Sequence, residues 1–194
     1  MRQLKYYVAC SVDRFIAHPD GTHDGFPIEG EHFADLIATF PETFPARFRD
    51  ILGISGENKC FDTVLMGRKT YEVGLKVGIA NPYPQMQQCV FSRTLSANFD
   101  AVEAENVELL STDPVAVVQD LKQQQGKDIW LCGGGDLATT LFSEIDELIL
   151  KVNPLLLGAG ISLFAGIFKQ TMLELTNSKV YNNGFMLIYY QVKH

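Results

Sequence analysis

The stretch that decides the fold is IWLCGGGDLATTLF, residues 129–142, where an apolar strand pattern leads into three successive glycines and then into a helical pattern. Three adjacent glycines lose more backbone entropy on folding than any other tripeptide, so a specific use for them is expected. Gly133, Gly134 and Gly135 predict close packing of the helix against the strand, close approach of the backbone to a phosphate, or both.

Strand and helix patterns alternate on both sides of this turn. Strand patterns occur in LKYYVACSV, DTVLMG, QQCVFS, VELLS, DIWLC and DELILKVNP, and helical patterns in residues 31–40, TDPVAVVQDLKQQQG and GDLATTLFSE. Such alternation predicts crossover connections and a mostly parallel sheet. Two strand patterns around Asn182-Asn183-Gly184 add a C-terminal antiparallel hairpin. We predict a single α/β domain over residues 1–194, with a mixed, mostly parallel sheet flanked by helices.

The bulk composition argues against several classes of protein. The 194 residues carry a formal net charge of −7 and an isoelectric point near 5.0, unlike a general nucleic-acid-binding surface, which needs a basic excess. No apolar run approaches the ~18 residues of a membrane span, and MRQLKYYVAC lacks the apolar core of a signal peptide. We expect a cytoplasmic protein with four reduced cysteines. The four histidines lack metal-ligand spacing, so no metal site is expected.

Three strand ends carry residues that suit a phosphorylated ligand. Ligands of open α/β sheets bind at the carboxyl ends of strands, where helix starts offer free N–H groups. Each turn taken alone fits a structural explanation equally well, but together they predict a dinucleotide or another phosphorylated ligand. They are VLMGRKTYE with Gly67, Arg68, Lys69 and Thr70, CVFSRTL with Ser92, Arg93 and Thr94, and WLCGGGDLA with Gly133, Gly134 and Gly135.

The common phosphate-binding motifs do not fit this sequence. GRKT lacks the earlier glycine of a P-loop, and no G-x-G-x-x-G follows the first strand. A dinucleotide would therefore bind in a different way from the usual Rossmann mode. A flavin or another nucleotide in place of the dinucleotide is a further possibility.

The combination of segments resembles dihydrofolate reductase-like proteins over nearly the whole chain, and in particular the reductase domain of bacterial riboflavin biosynthesis and its stand-alone relatives. VACSVDRFIA is similar to the first strand and loop of dihydrofolate reductase, VLMGRKTYE to its strand-to-helix turn, and VFSRTL to the segment around the adenosine ribose. CGGGDLATTL is similar to the glycine turn of the family, and DELILKVNPLLLGAGISLF to the riboflavin-reductase branch.

This resemblance implies an NADPH site built from the three turns. Ala9 and Ile16 would flank the nicotinamide. The phosphates would lie against Gly67, Arg68, Lys69 and Thr70, and the 2′-phosphate against Ser92, Arg93 and Thr94. The nicotinamide mononucleotide half and the pyrophosphate would meet the glycine turn, which comprises Gly133, Gly134, Gly135, Asp136 and Leu137. Asp136 is expected to cap the following helix, with its charge turned away from the ligand.

The substrate side is implied less directly. Dihydrofolate reductases use one carboxylate on the first helix, and HFADLIATF offers Asp35 at a similar place, on the rim of an apolar face. Such a carboxylate can have a raised pKa and serve as an acid, although Asp35 also fits a solvated polar residue. Lys151 stands where dihydrofolate reductases have a threonine beside that carboxylate. Asp13 is expected to have a turn role in the first loop.

The implied function is an NADPH-dependent reductase of a small heterocyclic or ribosyl-pyrimidine substrate, similar to 5-amino-6-(5-phosphoribosylamino)uracil reductase. Residues 19–30 and 31–40 would shape the substrate pocket, and their acidic sequence without Lys or Arg argues against a phosphorylated substrate bound by that loop. The alternatives are a non-catalytic NADP(H)-binding or sensor protein and a pterin or dihydrofolate reductase. The aromatic hairpin at the C-terminus is a candidate homodimer surface, since relatives' sheets commonly dimerise.

Overall fold

A computed structural model describes residues 1–27, 29–94, 106–166 and 169–194. In these ranges the chain forms an eight-stranded sheet, a small two-stranded sheet and five α-helices. The strands are β1 (Leu4–Ser11), β2 (Phe15–Ala17), β3 (Phe61–Gly67), β4 (Gln87–Phe91), β5 (Val107–Leu110), β6 (Asp128–Gly133), β7 (Ile145–Asn153), β8 (Ile161–Ser162), β9 (Met172–Val180) and β10 (Met186–Lys193). The helices are α1 (Glu31–Thr39), α2 (Ala46–Leu52), α3 (Arg68–Leu75), α4 (Pro114–Gln123) and α5 (Gly135–Thr140).

The large sheet has the strand order β5-β4-β3-β6-β1-β7-β10-β9. Neighbouring strands from β5 to β7 run parallel, whereas β10 is antiparallel to both β7 and β9. The carboxyl ends of β4, β3, β6 and β1 therefore lie along one edge of the sheet. The predicted mixed, mostly parallel sheet with a C-terminal hairpin is confirmed.

Apolar side chains cover both faces of the sheet, which accounts for the nearly continuous apolar pattern of β1. Tyr6 packs in the core cluster of one face, together with residues of α4 and α5. Tyr7 packs in the cluster of the other face, beside Phe40 and residues of α1 and α3. Trp130 belongs to the second cluster, and its indole Nε1 donates a hydrogen bond of 2.8 Å to the carbonyl oxygen of Tyr7. This bond fixes β6 against β1 near the centre of the sheet.

Local sequence signals set the helix ends. Asp113 caps α4, because its side chain accepts a hydrogen bond from the Val115 N–H, and Pro114 opens the helix. Gly53 ends α2 in the left-handed region, at φ 62°. No helix in the described ranges is long and apolar enough to cross a membrane.

The small sheet of β2 and β8 is absent from the sequence prediction because strands of two or three residues leave no periodic pattern. Asp13 holds the loop before β2 against the segment before β8. Its carboxylate accepts hydrogen bonds from the backbone N–H groups of Leu157 at 3.1 Å and Gly158 at 2.7 Å. The expected turn role of Asp13 is confirmed.

Candidate functional site

The sheet brings the three predicted turns side by side. Gly67 at the end of β3 pairs with Phe91 at the end of β4, and Met66 pairs with Gly133 at the end of β6. The next strand in the order is β1, which carries Ala9 near its carboxyl end. The turns after β4, β3 and β6 therefore form one continuous edge, although they are separated by long stretches of sequence.

The three glycines of the central turn serve different needs. Gly133 has a φ of +131°, which L side chains rarely adopt, and the peptide bond between Gly133 and Gly134 is cis. A Cβ atom on Gly133 would meet no described atom within 4 Å, so the turn faces open space there. A Cβ atom on Gly135 would lie 2.2 Å from the carbonyl oxygen of Ser162, so this glycine permits close packing against β8.

The turn after β3 presents the start of α3 to the glycine turn. Gly67 precedes the helix, and no side chain caps the first N–H groups. Thr70 Oγ1 would lie 3.5 Å from a Cβ atom on Gly134, which shows how closely the two turns approach. Lys69 is exposed, whereas Arg68 forms an ion pair of 2.9 Å with Glu72 on the same helix.

The turn after β4 carries Ser92, Arg93 and Thr94. Ser92 Oγ accepts a hydrogen bond of 3.2 Å from the Thr94 N–H, which closes a small local turn. Arg93 and Thr94 are exposed. Within the part of the chain that the structure describes, no carboxylate forms an ion pair with Arg93.

The other predicted cofactor residues lie close by but differ in what they can offer. Asp136 is exposed in the first turn of α5 and forms no cap; the expected capping role is wrong, because Gly134 occupies the N-cap position. Leu137 is buried in the core, so only its backbone can face a ligand. Ile16 lies in β2, is partly buried and packs against the core.

Asp35 is held by two polar partners on the C-terminal hairpin. Its Oδ2 accepts hydrogen bonds from the ammonium of Lys179 and, at 2.8 Å, from the hydroxyl of Tyr181. The bond from Lys179 and then that from Tyr181 lower the pKa of Asp35, so of the two alternatives the acid with a raised pKa is wrong. No local pattern indicates this pair, because Lys179 lies 144 residues away in β9.

An open pocket of about 300 Å³ lies between the start of α1 and the C-terminal hairpin. Two of its lining residues belong to the segment 31–40, whose role in a substrate pocket stays a prediction, while Ile28 of the predicted loop 19–30 lies outside the described residues. The lining residues are Glu31, Asp35, Lys179, Val180, Tyr181 and Asn182.

The family resemblance singled out Lys151, but the sequence did not reveal its desolvated environment. It lies on β7 directly opposite Ala9 of β1, and its Nζ lies 4.0 Å from the centre of the Tyr7 ring. Desolvation lowers the pKa of Lys151 to about 8, while the nearby thiols of Cys132 and Cys10 oppose that shift. Among the described residues, no carboxylate forms an ion pair with Lys151.

The model of the RibD C-terminal domain family matches residues 4–187, a range that includes all three turns and Lys151. The chain belongs to this family. It is 31% identical over 193 residues to the protein YwjB of Bacillus subtilis (strain 168), with 97% of each chain covered. The predicted family resemblance is confirmed.

Solved structures share the fold of this RibD C-terminal domain chain. A putative riboflavin biosynthesis protein from Shewanella sp. PV-4 superposes with a TM-score of 0.70 at 23% identity, and all of each chain is covered. A diaminohydroxyphosphoribosylaminopyrimidine deaminase/5-amino-6-(5-phosphoribosylamino)uracil reductase from Thermotoga maritima gives a TM-score of 0.66 at 11% identity. That match covers 99% of this chain and 57% of the Thermotoga chain.

The described residues contain no group of three or more His, Cys, Asp or Glu side chains arranged to hold a metal ion. All four cysteines are free thiols.

Two glycine substitutions test the packing role of Gly135. Gly135→Ala is expected to lower the free energy of unfolding by about 2 kcal/mol or more, because its Cβ would overlap the Ser162 carbonyl oxygen. Gly67→Ala is the matched control: its φ is −73° and its Cβ would make ordinary contacts of 3.6 Å or longer, so a change within about 0.5 kcal/mol is expected. Urea unfolding measures both, and equal losses would contradict the assignment.

Lys151→Met is expected to raise the free energy of unfolding at pH 7 by on the order of 2 kcal/mol. Desolvation lowers the pKa of Lys151 from 10.5 to about 8. Keeping this lysine charged in the folded state therefore costs about 3 kcal/mol. Between about pH 8 and 10.5 the unfolded state binds the extra proton, so the cost to the wild-type protein disappears as the pH rises through that window.

Denaturant titrations of both proteins at pH 7 and pH 10 measure this difference, which should shrink at pH 10. The control is Lys179→Met, which removes an exposed lysine and should give no comparable gain. A Lys151→Met protein that is less stable than the wild type at pH 7 would refute the unfavourable burial of this charge.

Proposed function

We propose that this RibD C-terminal domain protein is an NADPH-dependent reductase of a small heterocyclic or ribosyl-pyrimidine molecule. The observation that carries the proposal is the alignment of the turns after β4, β3 and β6 along one edge of the sheet, next to Ala9. The Thermotoga maritima relative includes a 5-amino-6-(5-phosphoribosylamino)uracil reductase in its name, which agrees with this reaction class.

The residues of the edge fit a dinucleotide with an additional phosphate. The uncapped start of α3 offers backbone N–H donors, and Lys69 beside it offers an exposed cation. The open space at Gly133 leaves room for the nicotinamide half, and Arg93 offers a guanidinium to the 2′-phosphate. When bound, the nicotinamide cofactor supplies the hydride, and the protein supplies orientation and exclusion of water.

The state of Asp35 favours this proposal over a pterin reductase. In the resemblance to dihydrofolate reductase, Asp35 takes the place of the carboxylate that holds the pterin ring and assists protonation. In this chain the same Oδ2 atom already accepts from Lys179 and Tyr181. A carboxylate held ionised by these donors is a poor acid at neutral pH.

Arg93→Ala tests the cofactor assignment. Loss of one guanidinium–phosphate contact is expected to weaken NADPH binding about tenfold or more and to leave NADH binding within about twofold, because NADH lacks the 2′-phosphate. Titration calorimetry with both dinucleotides measures the two losses. Arg47→Ala, an exposed arginine on α2, is the control and should leave both affinities unchanged. Equal losses for NADPH and NADH would refute the assignment.

The same assay separates the reductase from the sensor protein. Oxidation of NADPH with at least one heterocyclic substrate supports a reductase. Stabilisation by NADPH without turnover over a broad panel of substrates would favour the sensor, and a lack of stabilisation would contradict both.

A cytoplasmic location stays a prediction.

For the assembly, we propose a homodimer that forms through β9. This edge strand pairs only with β10 among the described strands, and its side chains are exposed on both faces. Four of them are large and apolar: Met172, Leu173, Leu175 and Val180 are 71%, 39%, 56% and 70% exposed. Antiparallel self-pairing of β9 about a two-fold axis would join this edge to the same edge of a second copy, which gives a closed dimer.

Leu175→Lys with Val180→Lys is expected to convert the dimer to a monomer, because charged side chains on an edge strand oppose pairing with a second strand. Light scattering after size-exclusion chromatography measures the mass. The control is Ile51→Lys, which places the same charge at an apolar residue that is 77% exposed on α2. A wild-type protein that is monomeric at ~100 μM, far above the dissociation constant of a stable dimer, would overturn the proposal.

A further inference from the structure

One row of paired residues crosses the sheet from β1 to β9, on the face that carries Tyr7. Ala9 pairs with Lys151, Lys151 with Leu187, and Leu187 with Lys179, so consecutive members lie on neighbouring strands. Directly paired residues direct their side chains to the same face of a sheet. Since neighbouring strands are about 4.8 Å apart, Lys151 lies next to Ala9 and about 10 Å from Lys179.

The position of Lys151 links it to the proposed nicotinamide half of the site. Its ammonium lies over the ring of Tyr7, which shares a face of β1 with Ala9. It also lies close enough to Cys132 for the two groups to interact electrostatically, and Cys132 immediately precedes Gly133 of the open glycine turn. Lys151 as a whole residue is partly exposed, whereas its ammonium is desolvated.

The two lysines of the row differ in their partners. Lys179 is paired with Asp35, and its charge is neutralised within the pocket beside α1. Lys151 has the face of an aromatic ring and two thiols around it, and no carboxylate of the described residues compensates its charge. A largely desolvated cation of this kind is suited to a ligand atom that becomes negative or accepts a proton.

We propose that Lys151 is the proton donor of the site and acts on a substrate whose reducible bond is a C=N or C=O double bond. This proposal rests on the proposed reductase function. The substrate carbon accepts the hydride, and the electron pair of the double bond moves to the nitrogen or oxygen. That atom takes a proton from Nζ of Lys151, which becomes neutral and regains its proton from solvent. The substrate is reduced by two electrons, and the nicotinamide is oxidised by two.

The other titratable groups near Lys151 are unsuited to this role. Burial raises the pKa of Tyr7 and the pKa values of Cys10 and Cys132, to about 11 and about 12. Tyr189 on β10 also has a pKa raised by burial, to about 12. Asp35 on α1 is held ionised by Lys179 and Tyr181. Lys151, whose pKa lies near 8, is the group in this set that exchanges its proton close to neutral pH.

The test compares the pKa of Lys151 in two complexes, without the need for a substrate. Protein labelled with ¹³C at the lysine Cε positions is titrated from pH 6 to pH 11 with saturating NADPH and, separately, with saturating NADP⁺. The resonance of Lys151 is assigned by its absence from Lys151→Met. The oxidised nicotinamide ring carries a positive charge that the reduced ring lacks, so a lysine beside it should have a pKa lower by about one unit or more in the NADP⁺ complex.

Lys179 is the internal control, because it lies two strands farther away and is paired with Asp35; its pKa should be the same in both complexes. If both dinucleotides bind and the pKa of Lys151 is the same in the two complexes, Lys151 does not face the reacting ring and the proposal is overturned. If neither dinucleotide shifts any resonance in a saturable way, the reductase function itself fails and the proton donor falls with it. Lys151→Met should still bind NADPH, and loss of binding would identify Lys151 as a cofactor ligand instead.

Discussion

The candidate site depends on the parallel alignment of four neighbouring strands, β4, β3, β6 and β1. Because these strands run in the same direction, their carboxyl ends meet at one edge, and turns near residues 67, 92 and 133 become neighbours. Reversal of β3, which has seven residues, would move its turn about 20 Å to the opposite edge. The hydrogen bond from Trp130 to Tyr7 and the apolar cores on both faces hold this alignment in place.

The sequence predicted the parts of this arrangement that local patterns encode. Apolar runs located β1, β3 and β6, and the helical pattern in TDPVAVVQDLKQQQG located α4. The order of the strands follows from long-range packing, so the sequence predicted that three turns share an edge but not that they are adjacent. The Asp35–Lys179 pair was missed for the same reason, since two residues far apart in sequence meet only after the hairpin folds onto α1.

The three glycines of the glycine turn meet different structural requirements. Sequence reasoning left packing and ligand approach as equal explanations. The structure assigns packing to Gly135, where a side chain would overlap Ser162, and an unusual backbone conformation facing open space to Gly133. A local pattern cannot separate these roles, because the neighbour that excludes a side chain at Gly135 belongs to β8, a strand with no sequence signal of its own.

At Lys151, the stability of the fold and the proposed chemistry make conflicting demands. A lysine largely withdrawn from water and without a carboxylate partner weakens the fold, yet it stands in the same row as Ala9. Residues that violate the rules for a stable core are often found at functional sites.

The central claim, that the carboxyl edge of the sheet binds NADPH, is tested most directly by following backbone amide resonances during an NADPH titration. The account predicts saturable shifts concentrated in the turns after β4, β3 and β6 and at Ala9. The opposite edge has its own open pocket, of about 410 Å³ and lined in part by Arg2, Lys122 and Asp128. Shifts concentrated in that pocket, with the three turns unaffected, would contradict the account.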